Sequence, residues 1–211
     1  EAQHFETRKN LLKFDNVMND QRKVIYEQRK EIMNAADVSE VIHDMRHEVI
    51  DAIVSSAIPD GSYSEQWDVQ LLKTDSLRLL SLHIPAESWA KEEGVDEHII
   101  RERLVAEIDQ KLAEKEKNIP PHVLRQFEKS VLLQILDQSW KEHLLELDYL
   151  RHGIVLRAFG QKDPLNEYKT EAFGMFQSLL IAIREKVTAT LCMVELHAGD
   201  EPPVAPKPQQ P

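Results

Sequence analysis

The chain has 211 residues, a formal net charge of -11 at pH 7 and 42% hydrophobic residues, which permits one or two helical units with real cores. The acidic balance argues against a dedicated nucleic-acid binder, no apolar run approaches the roughly 20 residues of a membrane span, and the single cysteine, Cys192, rules out an internal disulfide. Glycine is scarce and strand-like alternation nearly absent, so an all-α protein is expected.

The chain opens Glu1-Ala2-Gln3, inside what reads as a helix, so a piece of a longer protein is expected. Residues 1 to about 35 read as one long helix. Leu11, Met18, Ile25 and Ile32 fall seven apart, Phe14 lies between the first two, and Val17 and Val24 widen the stripe. Positions 21 and 28, which would complete a coiled-coil seam, are both Gln, so a scaffold helix on several partners is expected rather than a zipper. Asn16, Asn19, Asp20, Gln21 and Arg22 form a polar cluster containing poor helix formers. It is either a solvated face or a bridge to domains outside this chain.

Asp37 or Ser39 is placed to cap a second helix, about 38–58. Its His43 and His47 have the spacing of two metal ligands but no compelling third, and ordinary surface histidines are the plainer reading. Pro59-Asp60-Gly61 signals a turn. Short helices are expected over 65–73 and 75–82, a third short element from Pro85, and a longer helix over 95–117 beyond the break at Gly94. Trp67 and Trp89 are expected to anchor this middle region.

From Pro121 to Leu196 the spacing predicts two long helices. Leu124, Phe127, Val131, Leu132, Ile135, Leu136, Trp140, Leu144, Leu147 and Leu150 share one face of the first. Leu165, Tyr168, Ala172, Phe176, Leu179, Ile183, Val187, Leu191 and Val194 share one face of the second, with Asp163 as N-cap and Pro164 at the first helical position. Two facing stripes make an antiparallel hairpin. The stretch Arg151 to Lys162, with Gly153 and Gly160, reads as the turn. It is both greasy and cationic, through Ile154, Val155, Leu156 and Phe159 and through Arg151, Arg157 and Lys162. Either it contacts something outside the hairpin, or it tucks under residues of the same chain. After Leu196 the proline density predicts a linker or disordered tail.

There is no glycine-rich phosphate loop, no Gly-Lys-Ser/Thr, no GxSxG and no HExxH. Glu142, His143, Glu146 and Asp148 lie close in sequence, but Glu142-His143-Leu144-Leu145-Glu146 has the wrong order for a zinc helix. Cys192 reads as a small buried hydrophobe. Nothing here supports catalysis by this chain alone.

Two strings carry a family resemblance. Residues 8–22, Arg-Lys-Asn-Leu-Leu-Lys-Phe-Asp-Asn-Val-Met-Asn-Asp-Gln-Arg, extended by Val24-Ile25-Tyr26-Glu27-Gln28-Arg29, resemble the start of the helical scaffold domain of the bacterial preprotein translocase motor SecA. Residues 136–144, Leu-Asp-Gln-Ser-Trp-Lys-Glu-His-Leu, then Asp148-Tyr149-Leu150-Arg151, then residues 161–169, Gln-Lys-Asp-Pro-Leu-Asn-Glu-Tyr-Lys, are similar to its later scaffold segment. The resemblance covers about residues 1–196 and is loosest from 37 to 120. It implies a long scaffold helix (1–36), an inserted helical wing domain (37–120), a second scaffold segment holding a two-helix finger (121–196) and a Pro-rich tail (197–211).

The family couples ATP hydrolysis to passage of unfolded preproteins through the SecYEG channel. The resemblance therefore implies a non-catalytic mechanical and regulatory segment, without cofactor of its own. ATP and Mg belong to the parent's nucleotide-binding domains, which, with its preprotein cross-linking domain, lie upstream. Ile154, Val155, Leu156, Arg157 and Phe159 would contact the channel mouth and the moving chain, with Arg151 and Lys162 as tip charges. Asn16, Asn19, Asp20, Gln21 and Arg22 would couple to the absent domains. The family's finger-tip aromatic, often tyrosine, falls on Phe159, in Ala158-Phe159-Gly160 where the family has Gly-Tyr-Ala. The ring is kept and the hydroxyl lost. The implied partners are SecYEG, unfolded preprotein, the parent's other domains, anionic lipid and a second copy of the parent, with no nucleic-acid role required. The implied location is the cytoplasmic face of the inner membrane. The family's cysteine-rich zinc tail has no counterpart here. The competing reading is a free-standing helical adaptor or chaperone-like module.

Overall fold

The computed structural model describes residues 2–117, 119–157 and 163–195, with side chains for 12–117, 119–154 and 163–195. They form seven α-helices and one short 3-10 turn, and no strand occurs among the described residues. The long elements are α1 (Ala2–Asn34), α6 (Pro121–Arg157) and α7 (Pro164–Met193). Between α1 and α6 lie α2 (Ser39–Ala57), α3 (Val69–Leu80), α4 (Ala86–Trp89) and α5 (Glu97–Glu116). The chain divides into two compact units, Glu1–Ala35 with Leu133–Ile183 and Ala36–Leu132 with Arg184–Pro211.

In the first unit the helical spacing of the sequence sets the buried face. Leu136, Trp140 and Leu147 of α6 are buried, as are Tyr168, Ala172, Phe176, Leu179 and Ile183 of α7. Late α6 packs on early α7, as in an antiparallel pair: Leu147 and Ile154 share a cluster with Tyr168 and Ala172. Phe14, Val17 and Met18 of α1 close over that cluster, and Ile25 is buried one heptad beyond Met18. Asp163 accepts the Leu165 N–H at 3.1 Å, so α7 starts where the acidic cap and Pro164 place it.

The second unit has its own core. Ile50, Ile53 and Val54 of α2, Leu72 and Leu80 of α3, and Ile100, Leu104 and Ile108 of α5 are buried together with Trp67 and Trp89. Cys192 lies in the same core, and burial pushes its thiol up from the usual range. Asp68 and Asp96 cap α3 and α5 through the N–H groups of Leu71 and Ile99, at 2.8 and 2.9 Å. Two lysines one turn apart on α5 satisfy helix-end carbonyls that otherwise lack partners. Lys111 donates to Leu80 and Ser81 at the end of α3, and Lys115 to Cys192 and Val194 at the end of α7.

Three boundaries differ from the sequence reading. Residues 69–80 form one helix, not the end of one and the start of another. Thr74 returns its hydroxyl to the Gln70 carbonyl at 2.8 Å and Asp75 pairs with Arg78 one turn on, so neither polar residue breaks the helix. Neither Asp37 nor Ser39 is the cap of α2. Val38 occupies that position, and the Asp37 carboxylate instead accepts the Ser39 N–H at 2.8 Å. Finally, α6 does not stop near Leu150 but continues through Gly153 to Arg157. By sequence alone 151–157 reads as turn, because Gly153 weakens a helix in isolation. Here Leu147 and Ile154, two turns apart on one face, are both buried, and that packing carries the helix through the glycine.

Candidate functional site

The candidate site is the part of the first unit where α1 crosses the α6–α7 pair. Three side-chain contacts step along α1 at intervals of seven or eight residues, close to whole helical turns, so all three lie on one face. Phe14 meets the Tyr168 ring edge-on, with centroids 5.0 Å apart and planes at 61°. One heptad on, Gln21 lies inside the unit, only 8% exposed. Eight residues further, Arg29 holds Asp137 with a two-pronged guanidinium fork, Nε to Oδ1 at 2.8 Å and Nη2 to Oδ2 at 3.0 Å.

The Gln21 contact is a polar relay among three helices. Its amide nitrogen donates to the Ala172 carbonyl of α7 at 3.0 Å. Its amide oxygen sits 2.8 Å from Nε2 of His143 on α6. With the amide NH2 committed to a carbonyl, the oxygen faces the ring, so His143 Nε2–H is the donor and the neutral imidazole carries its proton there. His143 is 2% exposed, between Trp140 and Phe176 with ring centroids at 5.5 and 5.9 Å. Burial holds its imidazole below the usual histidine range.

The residues singled out from the sequence part company here. Ile154, offered as an exposed finger-tip residue, is 1% exposed and belongs to the cluster with Leu147, Tyr168 and Ala172. It tucks under its own chain, the alternative open at that point. Arg151, offered as a tip charge, lies within α6 and pairs with Asp15 at 3.2 Å and Asp148 at 2.7 Å. Phe159 and Lys162 lie outside the described residues, as do the side chains of Val155, Leu156 and Arg157. In the polar cluster of α1, Gln21 is turned inward, which corrects its place among the outward-facing coupling residues. Asn16 is exposed, Asn19 accepts from Arg22 at 3.1 Å, and Asp20 pairs with Lys23 at 3.3 Å.

Leu145, Tyr149 (68% exposed), Phe173 (64%) and Ile181 are apolar side chains that this unit leaves exposed, and the sequence reading gives them no surface role. Leu145 and Tyr149 are four apart and off the buried stripe of α6, and that mismatch was the available signal. It also passed over the Gln21–His143 pairing, for which two polar residues 122 positions apart leave no local trace.

His143, the histidine of the Glu142–Glu146 run, faces Gln21 rather than an acid. His43 and His47 stack with ring centroids 4.1 Å apart. No group of three or more His, Cys, Asp or Glu able to hold a metal occurs among the described residues. Among them, too, no helix is long and apolar enough to cross a membrane.

The family model for the SecA wing and scaffold domain matches residues 1–195. The chain belongs to that family. It is 50% identical over 206 residues to the protein translocase subunit SecA of Afipia carboxidovorans, covering 98% of this chain and 22% of that protein. Against the subunit of Acidiphilium cryptum the identity is 50% over 208 residues, 99% and 23% of the two chains. Against that of Bartonella tribocorum it is 47% over 207 residues. The chain thus spans less than a quarter of the relatives it matches. It is a SecA-family helical segment, and its 211 residues carry no glycine-rich phosphate loop and no Gly-Lys-Ser/Thr.

Proposed function

We propose that this chain is the non-catalytic mechanical and regulatory segment of an ATP-driven motor that moves unfolded preproteins through the SecYEG channel. The observation that carries this reading is the attachment of α1. A 33-residue helix, about 50 Å long at 1.5 Å per residue, is held to the α6–α7 pair by an aromatic contact, a buried polar relay and an ion-pair fork in succession. A displacement of α1 is then handed to the hairpin as a whole, because close-packed interiors transmit strain instead of absorbing it. Residues 37–120 serve as the wing domain, and 121–196 carry the two-helix finger.

In this reading the end of the finger, with Val155, Leu156, Arg157, Phe159 and Lys162, pushes on the translocating chain at the channel mouth. A phenyl ring without hydroxyl wedges against any extended polypeptide and reads no sequence. Asn16, Asp20 and Arg22 face the parent's nucleotide-binding and preprotein cross-linking domains. The segment works on the cytoplasmic face of the inner membrane, where the finger-end cations meet acidic channel loops or anionic lipid, and the parent acts alone or as a homodimer. The test is Phe159→Ala in the restored full-length protein. Preprotein transport should be lost while basal ATP hydrolysis stays within about twofold. Equal loss of both would overturn the finger-end role, and a parent reading frame without nucleotide-binding motifs would overturn the motor reading altogether.

A further inference from the structure

The apolar face of α1 defines its register only in part. Met18, Ile25 and Ile32 repeat at seven residues, and so do Arg22 and Arg29. A slip of one heptad that brings Arg22 to Asp137 also brings Leu11 and Met18 to the places of Met18 and Ile25, so the ion-pair fork and the middle of the stripe survive it, while Thr7 and Asn10 replace Phe14 and Val17 at its near end. The same slip brings Phe14 to the place of Gln21. That change strands a buried donor, the His143 Nε2–H, and removes the second hydrogen bond of the Ala172 carbonyl, in surroundings set by Trp140 and Phe176. The opposite slip brings in Gln28 and satisfies the relay, but it sets Gln21 against the Tyr168 ring in place of Phe14. In either slip an arginine, Arg8 or Arg22, replaces Asp15 beside Arg151. That pair is partly open to solvent, where charges discriminate weakly. The Gln21 relay is buried, where an unmade hydrogen bond discriminates strongly.

We infer that the Gln21–His143 pair, with the Ala172 carbonyl, is a register pin: a positioning device that fixes α1 axially on the α6–α7 pair and contributes uniqueness more than stability. Single buried polar residues in helical seams are known to act this way, since wrong registers leave them unpaired while an apolar replacement tolerates several. The inference rests on the proposed motor reading only for its purpose: a helix that transmits displacement must not slide on what it drives.

The experiment measures register directly. Nitroxide labels are placed at Lys23→Cys on α1 and Lys141→Cys on α6, both exposed, in a Cys192→Ala background of the full chain, and the label separation is read by pulsed electron resonance. The starting protein should give one distance. The Gln21→Leu/His143→Leu variant should keep its melting temperature or raise it, and should add a second distance displaced by up to about 10 Å, seven residues of helical rise. His143→Gln, which replaces the ring with another hydrogen-bonding group, should keep one distance. A double-leucine variant with one unchanged distance overturns the inference. So does one that no longer folds, because the pair would then be a stability element. Transport by the restored parent separates this inference from the function it serves. Two distances with intact transport refute the mechanical reading and leave the pin standing. One distance with lost transport does the reverse.

Discussion

His143 is neutral because it is buried, and its surroundings supply no charge to offset a proton: burial is the only cause of its lowered proton affinity. In the unfolded chain the ring titrates near 6.5. Between that value and the lower folded one, the unfolded state binds more protons, so stability falls as pH falls through the window and is fully present above it. Urea midpoints measured at pH 7.5 and pH 5.5 should therefore drop on acidification, and the drop should shrink in His143→Gln. An unchanged drop would assign the acid sensitivity to other groups. Ile154 is the second residue whose surroundings decide its meaning. In the cluster beneath Phe14 and Met18, truncation to Ala leaves a cavity, and Ile154→Ala should cost about 2–5 kcal/mol in chemical denaturation. A cost under about 0.5 kcal/mol would return it to the surface.

At the scale of elements, the glycines fall into two kinds. Gly153 lies inside α6, and a methyl group there meets nothing within 4 Å. Gly153→Ala should raise stability by about 0.5–1 kcal/mol, the ordinary helical preference for alanine, read as a rise in melting temperature. Gly94 is a different case. It has φ +78, a left-handed conformation in the turn between α4 and α5, and Gly94→Ala should cost about 1–2 kcal/mol despite the open space around it. A fall in stability for Gly153→Ala would refute the helical course of α6 through residue 153, and a rise for Gly94→Ala would refute the left-handed turn at Gly94. The two lysines of α5 work at the same scale. By capping the ends of α3 and α7 they tie neighbouring helices through the carbonyls each leaves unpaired.

Over the whole molecule the net charge of -11 sets many carboxylates against one another. Most ion pairs lie at least partly in solvent, among them Lys73–Glu87, Arg103–Glu92 and Arg184–Glu48, and such pairs add little. Raising salt from about 10 mM to about 150 mM shortens the screening length from about 30 Å to about 8 Å. Long-range repulsion should weaken more than these contacts do, so the melting temperature should rise. A fall would show that the ion pairs outweigh the repulsion.

How much was legible follows from the range of each interaction. The heptad spacing of α1, the stripe of α7 and the Asp163-Pro164 start are local patterns, and the sequence by itself determined those helices, the buried face of α7 and part of that of α6, the burial of Trp67, Trp89 and Cys192, and the family. The path of α6 beyond Leu150 and the inward turn of Gln21 were decided only by the tertiary structure. A glycine stays helical when packing on either side outweighs its entropy, and a polar side chain goes inside when partners on two other helices complete its hydrogen bonds. Neither condition is written within one stretch of chain, because both depend on which distant residues the folded helices bring face to face.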